Sequence, residues 1–133
     1  MQTFFGKYLK ENSPDETEVY ELKFTKGISI PFDRVPEHQI EALLKSENEG
    51  LYHKITDQPW GRTSNIRYTS KKPFDCLFIT KVKAYLVVWF YVPRKPKIFY
   101  KIRIKDFLEM EKQTDRKSFT EDMVSKWGIP IHL

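Results

Sequence analysis

Glu21 and Lys23 are the two residues of this chain whose types and spacing are best suited to catalysis. The alternate residues Leu22 and Phe24 are apolar, which is typical of a strand, so the carboxylate and the amine project from one face about 6.6 Å apart. A carboxylate can hold Mg²⁺ or Mn²⁺, and an adjacent lysine can orient or deprotonate a water and stabilise charge on a phosphate. The pair is suited to phosphodiester hydrolysis, although the same spacing also occurs on ordinary half-exposed strands.

Hydrophobic periodicity predicts the elements that position this pair. Helices are expected over residues 3–12, 36–46, 106–113 and 119–127, the last opened by a capping box of Ser118 and Glu121. Strands are expected over residues 16–26, 51–55, 76–80, 84–92 and 98–104. Residues 57–72 are polar and are expected to form a long loop, of the kind that often carries function.

The segment 84–92 reads AYLVVWFYV without polar interruption, which predicts a strand buried on both faces at the centre of a sheet. The order of elements is helix, strand, helix, several strands and then helices. We therefore predict an α/β (α+β) fold with a mixed central β-sheet flanked by helices. A length of 133 residues predicts a single domain spanning residues 1–133.

Charge is distributed unevenly along the chain. Residues 1–50 carry 6 basic and 10 acidic side chains, residues 51–80 carry 5 and 2, and residues 81–133 carry 12 and 6. A basic surplus favours a polyanionic partner such as nucleic acid, with ordinary solubilising charge as the alternative.

The single cysteine, Cys76, permits no internal disulfide and favours a reducing compartment. The longest apolar run is nine residues, too short for a membrane span, so a soluble cytoplasmic protein is expected.

A set of motifs around Glu21 resembles those of a known nuclease superfamily. Lys23, Thr25 and Lys26 are followed by Pro31 and Phe32, and then by His38 and Gln39 on the next predicted helix. This pattern resembles the PD-(D/E)xK nucleases, most closely the Holliday junction resolvases of the RecU type. The segment 115–122, DRKSFTED, also resembles an Arg-Lys-Ser segment near the end of those proteins. The resemblance implies a restriction-endonuclease-like fold, a Mg²⁺ (or Mn²⁺) cofactor, branched DNA as substrate and a homodimer.

The second acid that the superfamily requires does not stand in its usual place. Asp15 follows Pro14 but lies too close to Glu21 to belong to a separate upstream strand. The central strand carries Val88 and Phe90 where an acid and a lysine would be expected. Asp75 precedes a predicted strand, so we predict a rearranged site in which Glu21 and Asp75 hold the metal. Asp57 and Asp15 are the alternatives for the second acid. Asp75 would then be a turn residue with no catalytic role. The predicted catalytic residues are Glu21, Lys23, Asp75 and Gln39.

Further residues are candidates for DNA contact. Cations alternate with Trp60 and Tyr68 in the predicted loop, so rings there could stack on bases while cations meet phosphates. The predicted nucleic-acid-binding residues are His38, Lys54, Arg62, Arg67, Lys71 and Lys72. The turn with Arg94, Lys95 and Lys97 fits the same role, although solvated turn charge is the simpler interpretation. The alternative functions are a non-catalytic nucleic-acid-binding module and a protein-interaction domain.

Overall fold

The computed structural model of the chain describes residues 1–54, 76–80 and 82–133. Its helices are α1 (Gln2–Glu11), α2 (Glu37–Glu49), α3 (Ile104–Gln113) and α4 (Glu121–Trp127), with a 3₁₀ turn at Phe32–Arg34. Its strands are β1 (Glu18–Thr25), β2 (Ser29–Pro31), β3 (Leu51–Lys54), β4 (Cys76–Ile79), β5 (Lys83–Phe90), β6 (Ile98–Arg103), β7 (Ser118–Thr120) and β8 (Ile129–His132). The four predicted helices and five predicted strands are confirmed within a few residues at each end.

A mixed four-stranded sheet with the order β1-β5-β6-β8 forms the centre of the fold. β1 runs parallel to β5, whereas β5 pairs antiparallel with β6, and β6 with β8. Parallel neighbours need a crossover connection, and α2 lies on it, packed against both β1 and β5. The predicted mixed sheet flanked by helices is confirmed, with the apolar strand β5 in its interior.

The two faces of the sheet bury different cores. Leu86, Val88 and Ile102 face α2, α3 and α4, where Phe107 and Val124 complete the larger core. The opposite face carries a smaller, more aromatic core beneath α1, formed by Phe5, Val87, Trp89, Phe99 and Ile131. The alternation of β1 and β6 assigns their residues to these faces as predicted, because successive side chains of a strand point to opposite sides.

The structure corrects the predicted start of the last helix. Ser118 is not its N-cap, because residues 118–120 form β7, in which Phe119 pairs with Ile30 and is fully buried. The helix begins at Glu121, and the Thr120 hydroxyl accepts a hydrogen bond from the backbone N–H of Met123. Burial of the Phe119 ring therefore outweighs continuation of the helix toward Ser118.

Three short strands have no counterpart in the predicted set. β2 pairs with β7 in a small separate ribbon, and β8 adds an edge to the main sheet beside β6. β3 and β4, both predicted, form a second ribbon in which Lys54 pairs with Cys76. In the part of the chain described, no helix has the length and apolar character required to cross a bilayer.

Candidate active site

Glu21 and Lys23 form an ion pair on the face of β1 that α2 covers. The Lys23 Nζ lies 3.0 Å from the Glu21 Oε1, and the two side chains are 17% and 28% exposed, respectively. The two side chains therefore project side by side from one face of the strand, as predicted. A pair this sheltered is screened by solvent less than a surface pair, so each charge acts more strongly on a neighbouring group.

The register of β1 explains why a charged pair sits beside an apolar core. Glu21 pairs with Leu86 and Lys23 with Val88, and both of these β5 residues are fully buried. β1 lies at one end of the sheet order, so its own face is only partly covered. The aliphatic stem of Lys23 can pack along the core while its amine reaches the rim. Glu21 also lines a shallow cavity with Met1, Gln2 and Phe24.

Gln39 adds an unpartnered acceptor to the same side of the sheet. It lies four residues before Leu43, which is buried, so Gln39 belongs to the sheet-facing stripe of α2. Its Oε1 is buried and accepts no hydrogen bond from the described residues. α2 starts beside the carboxyl end of β1, because a crossover helix runs back along the strand it follows. A buried amide oxygen costs free energy unless a donor or a cation reaches it, so this end of α2 is suited to a bound water or metal ion.

The remaining predicted site residues divide into two groups. His38 is exposed on the first turn of α2, and Lys54 ends β3, where its backbone pairs with Cys76. The others lie outside the described residues: Asp57, Arg62, Arg67, Lys71, Lys72 and Asp75. No cluster of three or more His, Cys, Asp or Glu side chains suited to a metal is present within residues 1–54, 76–80 and 82–133.

Asp15 does not join Glu21. It lines a cavity of about 390 Å³ on the opposite side of the sheet, beneath α1, together with Glu16, Glu18 and Lys83. Glu21 is not among the residues that line this cavity. Asp15, one of the acids proposed as a partner for Glu21, therefore lies with a different group of charged residues.

That cavity contains a charged network that the sequence did not predict. The Lys101 Nζ donates to the Glu18 Oε2 at 2.8 Å, and the Tyr20 hydroxyl donates to the same oxygen. The Lys101 ammonium also lies 4.2 Å from the centre of the Tyr85 ring. The pKa of Tyr20 is raised mainly by burial and further by its hydrogen bond to Glu18. The pKa of Tyr85 is also raised mainly by burial, with a further contribution from the negative charge of Glu18. No short-range motif could have revealed the network, because its members come from three different strands.

Comparison with known proteins adds no relative on which to base a function. No protein family, no curated protein and no solved structure matches the chain. The resemblance to RecU-type resolvases and the restriction-endonuclease-like fold therefore stay predictions drawn from the motifs around Glu21.

Proposed function

We propose that the protein is a metal-dependent DNA endonuclease acting on branched DNA, with Glu21 and Lys23 at the centre of its active site. The observation that supports this most directly is the sheltered contact of 3.0 Å between these two side chains on one strand face. A carboxylate and an ammonium at this distance offer a metal ligand and a group that orients water within one site. Gln39, whose buried Oε1 has no hydrogen-bond partner among the described residues, supplies a further oxygen on the same side of the sheet.

The donor set fits a hard divalent cation. Mg²⁺ and Mn²⁺ prefer oxygen ligands such as carboxylates and water, and Glu21 offers a carboxylate. Asp75 is the proposed second carboxylate, in a rearranged site that departs from the usual order of the superfamily motifs. When bound, such an ion stabilises negative charge on the phosphate and makes a coordinated water more acidic.

The protein groups have separate roles in this proposal. Glu21 would hold the ion through the oxygen that does not contact Lys23. The Lys23 ammonium would donate a hydrogen bond to the attacking water or to a phosphate oxygen as negative charge develops there. Gln39 would accept a hydrogen bond from that water and so orient it toward phosphorus.

The branched substrate and the homodimer rest on the resemblance to resolvases and on the basic surplus of the chain. Two symmetric cuts across a four-way junction need two active sites, which a twofold dimer supplies. Contacts from His38, Lys54, Arg62, Arg67, Lys71 and Lys72 would hold the DNA through its phosphates.

Cleavage assays test the proposal directly. Labelled four-way junction, duplex and single-stranded DNA would be incubated with Mg²⁺, Mn²⁺ or EDTA, using wild type, Glu21→Gln, Lys23→Met and Asp75→Asn. We expect metal-dependent cutting of the junction and a loss of on the order of 100-fold or more in each variant. The matched control is the exposed Lys126–Asp122 pair, whose variants Lys126→Met and Asp122→Asn should cut at the wild-type rate.

A non-catalytic nucleic-acid-binding module is the second candidate. It is favoured by Val88 and Phe90, two buried apolar residues on the central strand at positions where the superfamily would carry an acid and a lysine. This candidate predicts that the wild type binds all three DNAs, cuts none, and loses little affinity on Glu21→Gln. Salt-dependent binding without metal-dependent cutting would reject the nuclease and establish the module.

A further inference from the structure

Two exposed phenylalanine rings flank a buried tryptophan on the face of the sheet that α1 covers. Phe24 pairs with Trp89 across β1 and β5, and their ring centroids are 6.2 Å apart. The ring of Phe4, on α1, meets the same indole edge-on at 6.1 Å. Phe4 is 42% and Phe24 is 47% exposed, whereas Trp89 is 7% exposed. These three rings form a continuous aromatic surface, which we call the Trp89 surface, and its two outer rings are open to solvent.

Cations border the Trp89 surface beside Phe4. The Lys97 Nζ lies 3.6 Å from the centre of the Phe4 ring. Lys7 and His132 line a cavity of about 500 Å³ together with Phe4 and Lys97, and among the described residues Glu11 is the one acidic side chain that lines it. The charge beside the rings is thus mainly positive.

The turn that carries Lys97 extends this positive border. Arg94 and Lys95 stand on it, and both side chains are exposed. Arg94 adopts φ of 64°, a left-handed conformation that residues other than glycine seldom take. The segment 93–97 therefore presents three cations and no acid next to the aromatic surface.

Exposed rings bordered by cations match the chemistry of an unpaired nucleic-acid strand. Base faces stack on aromatic side chains without regard to sequence, while phosphates contact nearby lysine and arginine. A purely apolar partner would gain nothing from the cations, and a paired duplex hides the base faces. We propose that the Trp89 surface binds unpaired nucleotides of a DNA strand, with Phe4 and Phe24 stacking on bases and Lys97 contacting phosphate.

The position of Phe24 links this surface to the proposed active site. Phe24 lies three residues beyond Glu21 on β1, and both residues line the same shallow cavity along that strand. A strand held on the Trp89 surface would reach Glu21 around the edge of the sheet. The inference rests on the proposed function for the identity of its ligand as DNA, but binding itself does not require hydrolysis.

A comparison of two oligomers tests the inference. Fluorescence anisotropy would measure binding of oligothymidylate and of an abasic oligomer with the same number of phosphates. We expect Phe4→Ala and Phe24→Ala each to weaken oligothymidylate binding on the order of five- to tenfold and to leave abasic binding unchanged. Phe24→Tyr should restore binding, since it keeps the ring. Lys97→Ala should weaken binding of both oligomers by a similar factor, because both keep their phosphates.

Controls separate this inference from a folding defect and from the proposed function. Ile129→Ala removes a different exposed apolar side chain and should bind both oligomers like wild type. Circular dichroism would confirm that every variant is folded. Stacking on the rings needs no hydrolysis, so a wild-type protein that binds oligothymidylate through the rings but never cuts DNA would reject the nuclease and retain this site.

Two results would overturn the inference. Equal losses on the oligothymidylate and abasic oligomers for Phe4→Ala and Phe24→Ala would show that the rings do not stack on bases. Unchanged oligothymidylate binding, together with a loss of dimer mass for Phe24→Ala in light scattering, would instead make the Trp89 surface an interface between copies of the chain.

Discussion

The Lys101 ammonium on β6 and the Glu18 carboxylate on β1 meet at 2.8 Å across the intervening strand β5. Their side chains are 18% and 10% exposed, so both charges are largely withdrawn from water. Such a buried ion pair stabilises the folded state little more than two packed apolar residues would. Removing one member, however, leaves an unpaired charge that is largely shielded from solvent, which is destabilising. The contact therefore makes the folded state sensitive to either residue alone.

Lys101→Met is expected to lower the free energy of unfolding by about 2–3 kcal/mol, because among the described residues Glu18 would keep only the Tyr20 hydroxyl as a hydrogen-bond partner. Adding Glu18→Gln to this variant should recover part of the loss, since the stranded charge is then removed. Urea denaturation gives both values. Lys126→Met, which breaks an exposed i,i+4 pair, should cost less than about 0.5 kcal/mol. An equal loss in Lys101→Met and Lys126→Met would contradict the role of burial.

Stability should fall at alkaline pH through the buried tyrosines. Burial, then the hydrogen bond from its hydroxyl to the Glu121 Oε1, raises the pKa of Tyr100 to about 12. An unfolded tyrosine loses its proton near pH 10, so between pH 10 and pH 12 the unfolded state binds fewer protons than the native state. The contribution of Tyr100 is thus complete below pH 10 and declines as the pH rises through 12.

Denaturation midpoints measured from pH 8 to pH 12 would check this dependence. Tyr100→Phe should lower stability at pH 8, through loss of the hydrogen bond to Glu121, and should flatten the decline above pH 10. A variant whose alkaline decline matches that of the wild type would exclude Tyr100 as a contributor.

Two glycines should respond to alanine with opposite signs. Gly50 has φ of 94°, and a Cβ there would lie 2.6 Å from the carbonyl oxygen of Ile79. Gly50→Ala should therefore destabilise the protein by about 1–2 kcal/mol or more. Gly6 lies inside α1, and a Cβ there meets nothing within 4 Å, so Gly6→Ala should stabilise by about 0.5–1 kcal/mol. Thermal melts of both variants give the comparison, and a destabilised Gly6→Ala would contradict it.

Thr120→Ala should cost about 1 kcal/mol by removing the cap of α4. The Thr120 Oγ1 accepts from the Met123 N–H at 3.4 Å, and a serine hydroxyl can do the same. Thr120→Ser is therefore expected to stay close to the wild type in chemical denaturation. Ser118→Ala tests the alternative cap, and a larger loss there than at Thr120 would contradict the structure.

Sequence periodicity predicted the long elements of this fold well. β1 and β5 have eight residues each. The alternation of β1 therefore repeats four times, which is enough to predict a strand and its two faces, and the apolar run of β5 is long enough to predict a buried strand. β2, β7 and β8 span three or four residues each, too few for any period to emerge. Phe119 shows why short strands are missed by periodicity, because its position in β7 depends on burial in the tertiary structure and not on local sequence preference.

The candidate site was predictable only in part for a related reason. Glu21 and Lys23 lie two residues apart on one strand, so local geometry alone brings them together. The partnership of Glu18 with Lys101 depends on which strands flank β5, and no local signal encodes that order. The role of Asp75 stays a prediction, since that residue lies outside the described part of the chain.

The parallel pairing of β1 with β5 also has a kinetic consequence. Glu18 pairs with Lys83, so the contact closes a loop that spans much of the chain, whereas β5, β6 and α3 follow one another directly. Local hairpins form early in folding, and distant pairings wait until the entropy of loop closure is offset by other contacts. β1 should dock late onto a preformed β5–β6 hairpin. The Glu21–Lys23 pair then reaches its sheltered position only in the last stages of folding, so partly folded chains would not carry the assembled candidate site.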